Sequence, residues 1–251
     1  MGGDLRSPEG VRRFFAAEWQ GELAILRGDE AHHAARVLRL GAGDEILLAR
    51  EGEECVCRIE ASSREEVRAR VLLSRPAPGE PRRDIRLLLA CMKADKMEWA
   101  AQKATELGAS AFVPFVSSRC VKVPQGEAAL RAQARLCRIC FEALKQCGRT
   151  RPVEVRPPLS WQQLLCEVAG GGRRTLLAYE ASDASLKEAL AGVGRQEKID
   201  LIVGPEGGFA GEEARQLCEA GARPVSLGRR ILRGETAAIA LLAIAGYETE
   251  C

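Results

Sequence analysis

Residues 201–221 read LIVGPEGGFAGEEARQLCEAG. An apolar run stops at a turn carrying Gly204, Pro205, Gly207 and Gly208, and a charged amphipathic segment follows. The pattern is strand, glycine turn, helix. Such a turn lets the backbone itself approach a ligand. Spacing excludes two familiar ligand loops. A Walker loop needs Lys and a hydroxyl after its last glycine, and neither follows Gly208. A dinucleotide fingerprint needs G-x-G-x-x-G after the first strand, whereas these glycines are spaced differently and lie late in the chain. Two readings remain. Gly204 and Gly208 clear a Cβ from the path of a flat ligand, with Pro205 stiffening the entry, or the turn is a plain strand-to-helix connection. Glu212 and Glu213 fall in the first turn of the following helix, where acids suit its dipole.

The segments around this turn share its pattern. Apolar runs at 85–91, 111–116, 175–179, 199–204 and 224–228 alternate with helical patterns, which predicts a mostly parallel α/β sheet. Its ligand belongs beyond the carboxyl ends of the strands. The first helix, ADKMEWAAQKATELG, carries an apolar stripe of Met97, Ala100, Ala101, Ala104 and Leu107, with Asp95 and Glu98 at capping-box spacing and Gly108 as its stop. A long helix is expected at about 125–146. Residues 74–83, SRPAPGEPRR, read as a stiff connector. Ahead of them, short strand-like pieces at 13–16, 23–26, 44–49, 54–60 and 67–73 surround one short helix, for which Asp29 is a cap and Gly41 a stop. A small β-barrel fits that part. The expected division is 1–74 barrel, 75–83 linker and 84–251 α/β domain.

Composition narrows the classes. With 251 residues, 46% of them hydrophobic, the chain is long enough for a large domain or a small one beside a medium one. A net charge of +2 does not announce nucleic-acid binding, so any basic surface is local. The longest apolar stretch, 237–245, is too short to span a membrane, and MGGDLRSPEGVRR lacks the apolar core of a secretory signal; a cytoplasmic protein with no membrane partner is expected. The ten cysteines (Cys55, Cys57, Cys91, Cys120, Cys137, Cys140, Cys147, Cys166, Cys218, Cys251) therefore read as packing residues. Cys137 and Cys140 form a C-x-x-C inside a helical pattern, on similar faces, with no second pair to complete a metal site.

Residues 226–246, SLGRRILRGETAAIALLAIAG, place Arg229, Arg230 and Arg233 around Ile231 and Leu232 in a loop, ahead of an almost wholly apolar helix. Apolar side chains between loop arginines suit a flat greasy ligand such as an adenine ring, with the arginines facing an anionic polymer.

Together, GPEGGF, Glu212-Glu213 and LGRRILRGETA resemble the RsmE family, the uridine-N3 methyltransferases of bacterial small-subunit ribosomal RNA, in the SPOUT class. The resemblance extends through Lys93, Lys96, Met97, Trp99, Gln102, Lys103, Glu106, Leu107 and Gly108, through Arg119, Glu142-Ala143, Gln146 and Gly148-Arg149, and back to 13–15 and 32–39. Lys145, where an acid is usual, and Gly211, where a better helix cap is usual, depart from it.

The resemblance implies a PUA-like, RNA-binding β-barrel followed by a SPOUT α/β trefoil knot, S-adenosyl-L-methionine as cofactor, a homodimer meeting near the apolar helix, and 16S ribosomal RNA or the small ribosomal subunit as partner. Carried over by residue, the cofactor pocket comprises Leu177 and Tyr179 (with Glu180 alongside), then Gly204, Pro205, Gly207 and Gly208, then Leu227, Gly228, Ile231 and Leu232. Arg233 is the expected stabiliser of a uracil oxyanion. Glu206 is a weaker candidate base, and Glu206 and Glu235 serve equally well as backbone caps. The RNA surface implied is Arg12, Arg13, Arg39, Lys93, Lys96, Arg119, Lys122 and Arg149, with Arg13 and Arg39 alternatively tying the barrel together. Trp99 reads as helix packing. No metal is expected. The competing readings are a knotted methyltransferase acting on another RNA or on a ribose hydroxyl, and a non-catalytic RNA-binding or assembly factor.

Overall fold

The computed structural model describes residues 13–121, 123–194 and 196–250. The expected RNA contacts Arg12 and Lys122, and Cys251, lie outside these residues. The chain forms two compact units, 1–80 with 144–152, and 81–143 with 153–251.

In the first unit, β1 (Arg13–Phe15), β2 (Glu18–Gln20), β3 (Leu23–Arg27), β4 (Glu45–Arg50), β5 (Glu53–Ser62) and β6 (Glu66–Pro76) form one sheet in the order β1-β4-β5-β6-β3-β2. All its pairings are antiparallel except β1 with β4. Its core gathers Phe14, Leu26, Ile46, Leu48, Ile59 and Val67. α1 (Gly28–His32) continues into a π-helical turn, His33–Val37. Asp29 does not cap it: Arg27 holds the cap position without a side-chain bond, and Asp29 sits in the first turn. The linker expected from residue 75 starts later, because Arg75 and Pro76 pair with Glu54 and Glu53 as the end of β6. Beyond Arg70 the strand has no β3 partner, so a proline without an N–H fits there.

The second unit holds β7 (Ile85–Ala90), α2 (Ala94–Glu106), β8 (Ala111–Phe115), most of α3 (Glu127–Cys147), β9 (Glu154–Val155), α4 (Trp161–Ala169), β10 (Arg173–Ala178), α5 (Leu186–Leu190), β11 (Lys198–Val203), α6 (Gly211–Glu219), β12 (Arg223–Val225) and α7 (Gly234–Glu250). Its six strands, in the order β12-β10-β11-β7-β8-β9, are all parallel. Successive strand residues serve opposite faces. Leu87, Leu89, Leu201 and Val203 join one core with Met97, Ala100 and Leu241, whereas Leu88, Ala90 and Ile202 join another with Leu164 and Leu217. Burial on both faces is why the strands read as continuous apolar runs. From β7 the chain moves outward through β8 to β9, while β10 and β12 lie beyond β11. The junction of β7 and β11 is therefore the switch point where such sheets open a ligand crevice.

Local expectations needed further correction. α2 starts after Lys93 with no side-chain cap, so Asp95 is a first-turn acid and not the cap. Gly108 does end that helix, at φ +89°. Cys137 is exposed while Cys140 is buried, so the C-x-x-C pair does not share one environment. Cys166 and Cys218 are also exposed, so packing describes Cys55, Cys57, Cys91 and Cys140 but not these. Burial pushes the Cys57 and Cys91 thiols up to about 12, which leaves them unreactive at neutral pH.

Candidate functional site

Three loops at the carboxyl ends of β10, β11 and β12 meet. The middle one is the glycine turn. Val203 anchors its start in the core, and Gly204 and Pro205 are buried behind it. The turn closes through the Gly208 N–H donating to the Pro205 carbonyl at 2.9 Å, with Gly208 at φ +65°. The glycines here make room for the protein itself. A Cβ on Gly204 would stand 2.9 Å from the Phe209 ring, and that ring is stacked on Phe115 with centroids 6.2 Å apart. A Cβ on Gly208 would stand 2.7 Å from Glu180 Oε1, which puts the loop after β10 against the turn. The expectation that these two positions clear space for a ligand is corrected accordingly: their open sides face Phe209 and Glu180.

The turn is braced from the loop after β8. Arg119 donates to the carbonyls of Gly207 at 2.8 Å and Phe209 at 3.3 Å. Glu213 accepts from the N–H of Ala210 at 2.9 Å and of Ser118 at 2.7 Å, replacing the cap that Gly211 and Ala210 lack. In the sequence Glu213 shows only as an acid that suits the helix dipole; its span to Ser118 joins segments 95 residues apart and leaves no local pattern.

The third loop leaves β12, where the Ser226 N–H donates to Ala184 at 2.9 Å, and turns at Gly228, φ +104°. It returns to the glycine turn at Gly234, where a Cβ would lie 2.9 Å from Met92 Sδ and 3.2 Å from the Gly204 carbonyl oxygen. Between these points Ile231 is 90% exposed, Leu232 is half-buried, and Arg229, Arg230 and Arg233 are exposed. Among the described residues, nothing accepts a hydrogen bond from the backbone N–H groups of Arg229, Arg230, Ile231 or Leu232, and no carboxylate pairs with the three arginines. An apolar pair with open N–H donors beside it suits the face and edge of a purine.

The expected residues separate into groups. Gly204, Pro205, Gly207, Gly208, Gly228, Ile231 and Leu232 belong to the converging loops. Tyr179 is half-buried, its N–H on the Val225 carbonyl at 3.1 Å, and Leu227 packs against the core. Leu177, the next-to-last residue of β10, has its side chain fully buried, so only its backbone is left to face the loops. Glu206, the candidate base, has its carboxylate engaged by the Lys96 ammonium at 2.8 Å. The Glu206 and Glu235 carboxylates together hold that ammonium's pKa above the ordinary lysine value, with the Glu206 hydrogen bond the larger influence. The Lys96 ammonium is therefore shared by two carboxylates and is not a free cation.

Arg149 is likewise corrected. Its side chain is 3% exposed and pairs with Glu80, so burial removes it from any surface. Arg13 pairs with the buried Glu54, which also binds Arg75, and so ties strands together as its alternative reading had it. Lys145, the departure near Gln146, pairs with Glu30 at 3.6 Å. Arg39, at φ +57°, and Lys93 are exposed. A separate apolar cleft of about 730 Å³ lies between α2, α3 and the residues Val121, Val123 and Pro124, lined also by Met92, Met97, Pro114 and Leu136; no residue of the glycine turn or the arginine loop lines it. Among the described residues no three His, Cys, Asp or Glu side chains stand together as metal ligands.

Residues 79–246 match the family model described as RNA methyltransferase domain, and residues 26–72 match RNA methyltransferase PUA domain. The Mycobacterium bovis ribosomal RNA small subunit methyltransferase E is 35% identical over 91% of this chain and 88% of its own length. The chain belongs to the ribosomal RNA small subunit methyltransferase E family. The Bacillus subtilis member is 31% identical, with 90% of each chain covered. Among solved structures, the Neisseria gonorrhoeae family member bound to S-adenosyl methionine superposes with a TM-score of 0.80 at 28% identity, covering 93% of this chain and 96% of that one. A Legionella pneumophila methyltransferase with bound cofactor gives 0.78 at 31% identity, covering 94% and 96%.

Proposed function

We propose that this protein transfers the methyl group of S-adenosyl-L-methionine to N3 of one uridine in 16S ribosomal RNA. The observation that carries this reading is the convergence of the three loops at the carboxyl ends of β10, β11 and β12, with Leu232 and open backbone N–H donors on one side and unpaired arginines beside them. Membership of the family and the likeness to two cofactor-bound structures support it.

The cofactor supplies an electrophilic methyl group when bound; the chain supplies placement. Ile231 and Leu232 cover the adenine, and the N–H groups of that loop read its edge. Gly204, Pro205, Gly207 and Gly208 form the opposing wall, held rigid by Phe209, Arg119 and Glu213. Uridine N3 carries a proton and attacks only after losing it. Arg233, exposed and without a carboxylate partner, stabilises the negative charge that then develops on the uracil oxygens. Because N3 lies on the pairing edge, the target base is unpaired or flipped when it reacts.

Lys93, Arg39, Arg229 and Arg230 remain available for phosphates, and the N-terminal unit serves as the RNA-binding PUA-like domain. A homodimer is the proposed assembly. α7 leaves Ile244 and Tyr247 exposed, and α2, which packs on α7, leaves Trp99 and Leu107 exposed, giving an apolar face for a second copy.

The test is methyl transfer from labelled cofactor to small ribosomal subunits that lack the modification, followed by mass mapping. One methyl on the base of a single uridine, at N3, is expected. A ribose methyl, or no incorporation with folded protein, contradicts the reading.

A further inference from the structure

Lys96 lies in the first turn of α2, Glu206 in the glycine turn and Glu235 in the first turn of α7. The Lys96 ammonium is 2.8 Å from Glu206 Oε1 and 3.5 Å from Glu235 Oε2. The three side chains are 17%, 28% and 16% exposed, so solvent screens the cluster only in part. Glu235 Oε2 is buried and makes no hydrogen bond, which leaves the ammonium as the charge that compensates it.

We propose that Lys96 is a positioning residue: by sharing one ammonium between Glu206 and Glu235, it holds the glycine turn against the start of α7 and so keeps the cofactor pocket closed. This rests on the reading that the cofactor sits between those two segments. Without the ammonium, two carboxylates that both approach one nitrogen are left facing each other. Like charges in a partly solvated place push the segments apart unless one of the two takes a proton.

The other charges on these elements do not substitute. Lys93 and Asp95 share the helix end with Lys96, Glu98 pairs with Arg135, Arg119 is bound to the turn's carbonyls, Glu180 lies at Gly208, and Arg233 precedes α7. Among the described residues none of them is within ion-pair distance of Lys96, Glu206 or Glu235.

Calorimetry with S-adenosylhomocysteine between about pH 5.5 and about pH 8 tests this, on wild type, Lys96→Met and Lys96→Met with Glu206→Gln. Wild-type affinity is expected to be flat with pH. Lys96→Met should bind about tenfold or more weakly at the upper pH and recover toward the lower, as one carboxylate protonates. The double variant, with one carboxylate neutralised, should be flat and tighter than Lys96→Met at the upper pH. A lysine that merely packs would give no such profile. Wild-type affinity in Lys96→Met at every pH, or a pH-independent loss that Glu206→Gln does not relieve, overturns the proposal. If Lys96→Met does not fold, the double variant decides: binding supports the proposal and folded protein without binding overturns it. A wild type that fails to bind removes the cofactor reading itself, whereas a binding wild type with an indifferent Lys96→Met removes only this inference.

Discussion

Gly204 and Gly208 differ in what a methyl group would meet. At Gly204 the obstacle is the Phe209 ring, 2.9 Å away and fixed by its stack on Phe115 and its contact with Trp161. Gly204→Ala therefore overpacks a site that cannot yield, and a loss of about 1–3 kcal/mol in urea unfolding is expected, with weakened cofactor binding. At Gly208 the obstacle is the free end of Glu180, which can turn aside, so the left-handed backbone sets the smaller cost there. If Gly204→Ala proves as stable as wild type, the account of the turn fails. The sequence marks both positions as turn glycines, but it does not say that a phenylalanine five residues later fills the space beside one of them. For the same reason it does not show that Lys96 and Arg149 are paired: which cations find a carboxylate depends on residues more than sixty positions away.

Among the elements, the parallel strands were the most legible, since burial on both faces writes a continuous apolar run. Helix starts were the least, because Asp29 and Asp95 look like caps yet each sits one or two residues inside its helix. β2 and β9 left no apolar signal, being three and two residues long. The sheet's other end is fixed by charge. Asp200, 1% exposed at the start of β11, binds Arg86 of β7 at 2.8 Å and also Arg173 of β10, and so aligns three neighbouring strands. Asp200→Asn removes the carboxylate the two guanidinium groups share, while Arg86 keeps Glu167 and Arg173 keeps Asp84, so a loss of about 1–3 kcal/mol in denaturant unfolding is expected; an unaltered midpoint would refute that role. Around it, the Arg173 guanidinium holds the Asp84 carboxyl well below the usual carboxylate range, and the hydrogen bond from Arg156 lowers the Glu167 carboxyl. Both folded pKa values are depressed, so their contribution is present above the unfolded value of about 4 and is lost as pH falls through the folded one. Unfolding followed by circular dichroism should set in below about pH 4, not near neutrality.

At the scale of the whole molecule, the chain of one family member forms two units, and relatives align along about nine-tenths of their length. The interleaving of residues 144–152 with the first unit was not legible, because Glu80 recruits them through the backbone N–H of Arg151 at 2.7 Å and no pattern in either segment announces it. The candidate site was legible as two motifs, GPEGGF and LGRRILRGETA; their meeting, through Gly234 against Gly204, was not. That meeting is the central claim, and Leu232 lies at its apolar side. Calorimetric titration of S-adenosylhomocysteine into wild type and Leu232→Asp tests it most directly. The account predicts binding by wild type and none by a Leu232→Asp protein whose thermal unfolding is unchanged. Equal affinity in the two proteins would contradict it.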